Sequence, residues 1–278
     1  MNKRISVVTV CRNAETLIEK TIRSVVCQDY VEYEYIIIDG LSEDGTMSVV
    51  YKYLPVFRKK GIVCKVVSEK DKGIYDAMNK AIDMAEGDWI IYLNAGDLFF
   101  NRGILSDMSN ELNDELGVVY GNVVISDNQK YKYVASGRIV DIVKINPINH
   151  QACLTKTEYL KKYRFDISFP LAADYNLFLR MFRDGIGFKL VDKVWVVFLL
   201  GGISHRHYMM YQKEMYQSRM KNGVTNGRRL WVSYLFYGPF YMARYVARLL
   251  VPKLLFSERR GWYSDKYRAA GLKKIDGK

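Results

Sequence analysis

The chain is poor in the features that mark metal clusters, redox proteins and membrane spans. It has four cysteines in 278 residues, Cys11, Cys27, Cys64 and Cys153, with no paired spacing among them. That excludes a zinc ribbon or a dithiol motif and leaves reduced thiols that behave as small buried hydrophobes. No G-x-G-x-x-G follows the first strand, which counts against a dinucleotide-binding oxidoreductase. The longest uncharged run, Leu230–Ala243, has 14 residues, short of the roughly 18 to 20 that a spanning helix needs. Internal repeats and low-complexity tracts are absent. Nothing ahead of Ile5 reads as a charged leader with an apolar core and cleavage site, so a cytoplasmic setting is expected. Net charge is also missing from most of the chain. Residues 205–278 hold 16 Lys+Arg against 4 Asp+Glu, and the first 204 residues hold 26 of each. The whole excess of +12 belongs to the last quarter.

What remains is a soluble-type composition, 49% hydrophobic, enough to build one large domain or one domain with an appendage. Strands and helices alternate over the first hundred residues. Strands are predicted at Ile5–Val10, Tyr35–Asp39, Ile62–Ser68 and Trp89–Leu93, with helices at Ala14–Gln28, Thr46–Lys59 and Ile74–Ala85. That order implies an α/β fold whose mostly parallel sheet is covered on both faces. Val118–Ile125 and Tyr131–Ser136, separated by Asp127-Asn128, read as an antiparallel hairpin. Helices at Thr157–Tyr163 and Ala172–Asp184 and a strand at Lys189–Leu200 follow.

Polar groups cluster where the strands end, the edge at which an open α/β sheet presents a ligand. The first strand runs into Thr9-Val-Cys-Arg-Asn13, a turn opening a helix, where backbone donors and a basic group suit a diphosphate. The second ends in Asp39-Gly-Leu-Ser-Glu-Asp-Gly-Thr46. Asp39 is placed to accept from a base N–H or a ribose hydroxyl, whereas Ser42, Asp44 and Thr46 read as turn and cap residues. Ser68-Glu-Lys-Asp-Lys-Gly-Ile-Tyr-Asp-Ala-Met-Asn-Lys-Ala-Ile82 carries Asp71, Gly73 and Asn79, with Gly73 also readable as a simple turn glycine. Asn94-Ala-Gly-Asp97 closes the fourth strand. One carboxylate there, with diphosphate oxygens and waters, suffices for Mg²⁺. Ala173-Asp-Tyr-Asn-Leu-Phe-Leu-Arg180 opens a helix, and Asp174 reads either as a general base or as an anion favoured by the helix dipole. His150 precedes a predicted strand, placed to line the acceptor side or touch the donor.

Together these motifs resemble the family 2 glycosyltransferases, which have the GT-A fold, over roughly residues 5 to 205. The resemblance implies an inverting transfer from a nucleoside diphosphate sugar, with a UDP-sugar favoured, to a saccharide or lipid-linked acceptor in capsule, O-antigen or exopolysaccharide synthesis. It implies nucleotide-sugar contacts from Thr9, Arg12, Asn13, Glu15, Asp39, Asp71, Gly73, Asn79, Asn94, Ala95 and His150. It places a divalent metal, Mg²⁺ or Mn²⁺, on Asp97, and makes Asp174 the catalytic base. His205, in Gly201-Gly-Ile-Ser-His-Arg-His207, falls in a loop that covers the nucleotide in relatives, where it is read either as a metal or diphosphate ligand or as an exposed histidine in a basic segment. Two departures stand out. Asn94 and Gly96 occupy positions where an Asp-x-Asp arrangement is common, and Ala173 replaces the acid that often precedes the base. A non-catalytic protein that keeps the fold and binds sugar nucleotide or membrane is the alternative these departures motivate.

The expected organisation is a catalytic domain over 1–205, with a nucleotide-binding half (1–100) and an acceptor-side half (101–205), then a basic helical tail over 206–278. In the tail, aromatic and aliphatic residues alternate with Arg and Lys around Gly238-Pro239. That suits a helix lying at an anionic membrane surface on the inner face of the cell membrane, with packing on the domain or a dimer contact as the alternatives. Oligomerisation is left open, and no nucleic-acid motif accompanies the charge.

Overall fold

The computed structural model describes residues 4–127, 130–199 and 207–225. Strand β1 (Ile5–Cys11) is buried at every position, as an apolar strand covered on both faces must be. Helix α1 (Glu15–Val26) buries Ile18, Ile22 and Val25 along one stripe, each side chain contributing roughly 1.5–3 kcal/mol on leaving water. Then come β2 (Tyr33–Asp39), α2 (Thr46–Lys59), β3 (Cys64–Ser68), α3 (Ile74–Met84) and β4 (Trp89–Tyr92). Their bounds agree with the periodicity to within two residues.

The second half contains β5 (Leu98–Phe99), α4 (Ile104–Ser109), β6 (Leu116–Asp127), β7 (Lys130–Val134), β8 (Cys153–Lys156), α5 (Thr157–Tyr163), α6 (Ala173–Arg183), β9 (Gly187–Leu199) and α7 (Tyr208–Lys221). All strands join one nine-stranded sheet, ordered β3-β2-β1-β4-β8-β6-β9-β5, with β7 beside β6. From β3 to β4 every pairing is parallel. Beyond β4 it turns antiparallel through β8 and β6 before β9 returns parallel to β6. The antiparallel part is therefore wider than the β6–β7 hairpin that the turn residues signal. Strand β8 has only four residues, too few for its pairing direction to leave a pattern.

Each face of the sheet carries its own core. One gathers α1 and α2 residues with Trp89 and Trp195, the other gathers α3 and α6 residues such as Met78, Tyr175 and Leu177. At the amino ends of the strands, buried Glu34 accepts from the Ser6 hydroxyl (2.7 Å) and the Glu86 N–H (2.6 Å) and pairs with Lys65 (2.8 Å). That lock closes the end of the sheet opposite the ligand edge. Helix α7 continues past the sheet and docks on α6, with the Asn176 amide donating to the Ser218 hydroxyl at 2.9 Å and Met215 in the core. No helix among the described residues is long and apolar enough to cross a membrane. His205 and the apolar run Leu230–Ala243 lie outside the described residues.

Candidate active site

The carboxyl ends of β1, β2 and β3 are knitted into one polar rim. Asp39 is fully buried. It accepts from the Ser42 N–H (2.9 Å), the Ser42 hydroxyl, the Ser68 hydroxyl (2.6 Å) and, more weakly, the Cys11 thiol (3.6 Å). A carboxylate offers about four acceptor sites, so Asp39 is occupied in ordering the loop after β2. Asp71 accepts from the Gly73 N–H at 2.8 Å, and its Oδ2 occupies the space that a side chain on Gly40 would enter, so any substitution there must displace it. Gly73 has φ +124°, a conformation that side chains disfavour. Arg12 is exposed beside Gly40. Asn13 and Leu41 flank the rim at φ +48° and +59°. Non-glycine residues rarely take such angles, and those that do gather at ligand sites.

The start of α1 behaves differently from its sequence reading. Its first N–H groups are taken by the β2–α2 loop: Asn13 donates to Ser42 Oγ (2.7 Å), Ala14 to Thr46 Oγ1 (2.7 Å) and Glu15 to Asp44 Oδ2 (3.1 Å). The cap residues cap a helix, but it is α1 rather than only their own. Glu15 returns the contact by accepting from the Gly45 N–H at 3.1 Å. Two further expectations are corrected. Thr9 is fully buried, its hydroxyl shared between Tyr35 (2.8 Å) and the Leu93 carbonyl (2.7 Å), so it joins β1 to its neighbours rather than facing a ligand. Asn79 spends both ends of its amide on the Phe165 backbone, at 2.9 and 3.0 Å, and serves as a clamp.

A second cluster forms where β4, β8 and α6 meet. Asp97, after β4, is 4% exposed and accepts from the Leu199 N–H at 3.3 Å. Burial pushes its carboxyl up to about 7, against the pull of that N–H and of the His150 charge. His150 opens a 3₁₀ turn ahead of β8. Its Nδ1 lies 3.3 Å from Asp174 Oδ2, and its Nε2 is buried with no hydrogen-bond partner. Asp174 is in the first turn of α6 and 5% exposed. Burial works against its charge, but His150, the Tyr175 N–H and the Tyr75 hydroxyl outweigh it and hold the carboxyl below the ordinary range. Tyr75 Oη lies 3.0 Å from Asp174 Oδ1. Burial, then the Asp174 charge, push Tyr75 well above the ordinary tyrosine range, so it stays a neutral donor.

Two residues of this cluster escape sequence reasoning. Tyr75 lies within a quoted motif, yet nothing in its spacing points at Asp174, 99 residues away. Glu214, on α7, is 4% exposed and accepts from the Leu171 and Ala172 N–H groups at 2.8 and 2.9 Å. Helix α6 has no side-chain cap of its own, and Glu214 supplies one from another element.

The residues after β4 fit a divalent cation. Asn94 Oδ1 is buried without a hydrogen-bond partner, and burial disfavours the anionic form of the Asp97 carboxyl. Both are oxygen donors of the kind that Mg²⁺ and Mn²⁺ take. No group of three or more His, Cys, Asp or Glu gathers for a metal among the described residues.

Matches to known proteins bear on the family and the fold. The family model described as Glycosyl transferase family 2 matches residues 6–186, more than half of the chain. The chain belongs to glycosyl transferase family 2. This glycosyltransferase is 22% identical over 182 residues to a Mycobacterium bovis protein named PGL/p-HBAD biosynthesis glycosyltransferase, covering 64% of this chain and 70% of the relative. It is 26% identical over 184 residues to the Escherichia coli UDP-Glc:alpha-D-GlcNAc-diphosphoundecaprenol beta-1,3-glucosyltransferase WfgD, covering 65% and 70%. Among solved structures, S. aureus TarS 1-349 in complex with UDP-GlcNAc aligns with a TM-score of 0.60 at 20% identity, over 73% of this chain and 60% of that one. Mannosyltransferase PcManGT from Pyrobaculum calidifontis, in complex with GDP-Man and Mn²⁺, aligns with a TM-score of 0.64 at 18% identity, over 81% and 66%. This glycosyltransferase thus spans less than two thirds of either solved chain, and the likeness to them is one of fold, the GT-A architecture.

Proposed function

We propose that this glycosyltransferase moves a sugar, with inversion, from a UDP-sugar to a saccharide or lipid-linked saccharide in the assembly of a cell-surface polysaccharide. The observation that carries the reading is the pairing of His150 with Asp174 at 3.3 Å, with Asp97 within reach of the His150 charge, inside a family 2 domain. The nucleotide lies along the rim presented by Arg12, Asn13, Asp71 and Gly73, which the buried Asp39 orders from within and does not itself present to a ligand. Asp97 and Asn94 hold a divalent cation, Mg²⁺ or Mn²⁺, which neutralises the departing diphosphate when bound. Asp174 drives removal of the acceptor hydroxyl proton, and the oxygen then attacks the anomeric carbon opposite the leaving group. The relative WfgD is named for a lipid-linked acceptor, which supports an acceptor of that class here. The basic excess of residues 205–278 supports attachment to the anionic inner face of the membrane, where such an acceptor resides.

The decisive variant is Asp174→Asn, which removes the charge at nearly constant shape. Transfer is expected to fall about a hundredfold or more, measured as nucleoside diphosphate release with a panel of UDP-sugars, while stabilisation by UDP with Mn²⁺ is retained. Undiminished transfer in that variant would remove Asp174 from the chemistry, whereas a wild type that UDP and Mn²⁺ stabilise but that transfers no sugar would return weight to the non-catalytic alternative.

A further inference from the structure

Tyr75 is buried in the first turn of α3, and its hydroxyl reaches across to the start of α6. Its Oη lies 3.0 Å from Asp174 Oδ1 and 3.1 Å from the Leu171 carbonyl. One oxygen therefore touches both the chain entering α6 and the carboxylate in its first turn. A hydroxyl has a single proton to give, and of two such acceptors a carboxylate holds it more strongly than a carbonyl. Phenylalanine would fill the same space without burying a polar group that needs a partner. The packing of the ring does not call for the oxygen.

The surroundings of the ring determine where that oxygen stands. The Tyr75 ring stacks on Phe165, with centroids 5.4 Å apart and planes 28° from parallel. Phe165 in turn meets Tyr92 edge-on at 5.6 Å, and Tyr92, on β4, donates its hydroxyl to the Met78 carbonyl of α3 at 3.1 Å. The Asn79 amide grips the Phe165 backbone at both its N–H (3.0 Å) and its carbonyl (2.9 Å). The clamp at Asn79 is thus the root of a series, Asn79 to Phe165 to Tyr75 to Asp174, that ties the α3 face of the sheet to the base. A tyrosine has only two side-chain torsions, so a ring held on its face and at its edge places Oη within a narrow volume. Asp174 turns about two torsions of its own, and its seat on the helix does not fix its oxygens. Its contact with Tyr75 is shorter than the 3.3 Å contact with His150.

We infer, on the basis of the transferase reading above with Asp174 as the base, that Tyr75 is a positioning residue whose hydroxyl fixes the direction in which the Asp174 carboxylate meets the acceptor hydroxyl. Tyr75 gives up no proton in the reaction. As the acceptor oxygen bonds to the anomeric carbon, its proton passes to Asp174. The bond from that carbon to the diphosphate oxygen breaks, and the electron pair leaves with the nucleoside diphosphate. A misplacement of about 1 Å can cost on the order of a hundredfold in rate, and supporting contacts of this kind are what hold a reacting group within that limit.

The test uses the full chain as wild type, Tyr75→Phe, Asp174→Asn and the double variant. Three readings are taken: melting temperature, affinity for UDP with Mn²⁺, and nucleoside diphosphate release from whichever sugar nucleotide the wild type turns over. Enzyme in excess keeps slow release readable. Tyr75→Phe is expected to bind UDP within about threefold of wild type and to release product about 10- to 100-fold more slowly. In the Asp174→Asn background the same substitution should change the rate by less than about threefold, because the group it positions is already gone. A purely structural role would instead slow both backgrounds by the same factor, and that result overturns the inference. So does Tyr75→Phe at a rate within about threefold of wild type, or a fall in rate matched by a fall in UDP affinity. If Tyr75→Phe does not fold, Phe165→Leu decides, since it keeps the hydroxyl and loosens its support. Slower release at unchanged UDP affinity is then expected, and an unchanged rate overturns the inference. A wild type that turns over no sugar nucleotide overturns the transferase reading itself. A wild type that does so, with Asp174→Asn equally fast, removes the base and the inference with it.

Discussion

At the scale of single residues, the site is governed by which polar atoms the fold leaves unsatisfied. Asp97 is singled out in the sequence because it follows an apolar strand, and in the structure burial raises its carboxyl to about 7. The sign follows directly. The folded state takes up a proton between about pH 4 and 7 that the unfolded chain has already released. The stability this group contributes is therefore present at low pH and lost as the pH rises through 7. A divalent cation competes with that proton, so stabilisation by UDP with Mn²⁺ should be larger at pH 8 than at pH 6. In Asp97→Asn the metal-dependent increment should disappear, and the ligand-free protein should melt higher than wild type at pH 8. Thermal melts at the two pH values check both statements. Thr9 and Asn79 were misread for the converse reason. Both stand near the ligand edge in the sequence, but their partners Tyr35, Leu93 and Phe165 lie 26 to 86 residues away, where no local pattern reveals them.

At the scale of elements, long periodic segments and several short ones were legible, α5 at its observed bounds among them, and the shortest strand and helix were not. Helix α2 was bounded correctly from Thr46 to Lys59, since fourteen residues give nearly four turns of periodicity. Strand β5, with two residues, and helix α4, with six, carry too few periods to register. The role of α7 was hidden as well, because its service to the site runs through one side chain. Glu214 caps α6 across 42 and 43 residues of sequence, and burial raises its own carboxyl while the two N–H donors pull it down. Glu214→Ala should lower stability by about 1–2 kcal/mol, the usual cost of losing a helix cap, with Glu214→Gln costing less because one acceptor oxygen remains. Urea unfolding of the three proteins measures this. Equal midpoints for wild type and Glu214→Ala would show that α6 starts without help from α7.

At the scale of the whole molecule, charge is segregated. The first 204 residues balance 26 positive against 26 negative, and the remainder carries the net +12. A basic, aromatic segment beside a domain proposed to use a lipid-linked acceptor is expected to hold that domain at an anionic surface, by roughly 1 kcal/mol per basic residue near the membrane. The full chain should co-sediment with vesicles containing phosphatidylglycerol and should be released as salt shortens the screening length. A chain ending at Thr225 should remain in solution. Salt-insensitive binding, or equal binding to neutral vesicles, would count against the electrostatic account.

The most direct measurement is the thermal stability of the purified protein with UDP-, GDP-, dTDP- and CMP-sugars, with and without Mn²⁺. A ligand at about 100 times its dissociation constant adds about 2.7 kcal/mol, a shift that is easily resolved. A metal-dependent stabilisation by UDP-sugars above the other classes is the predicted result. A folded protein that no sugar nucleotide stabilises, with or without the metal, would contradict the account.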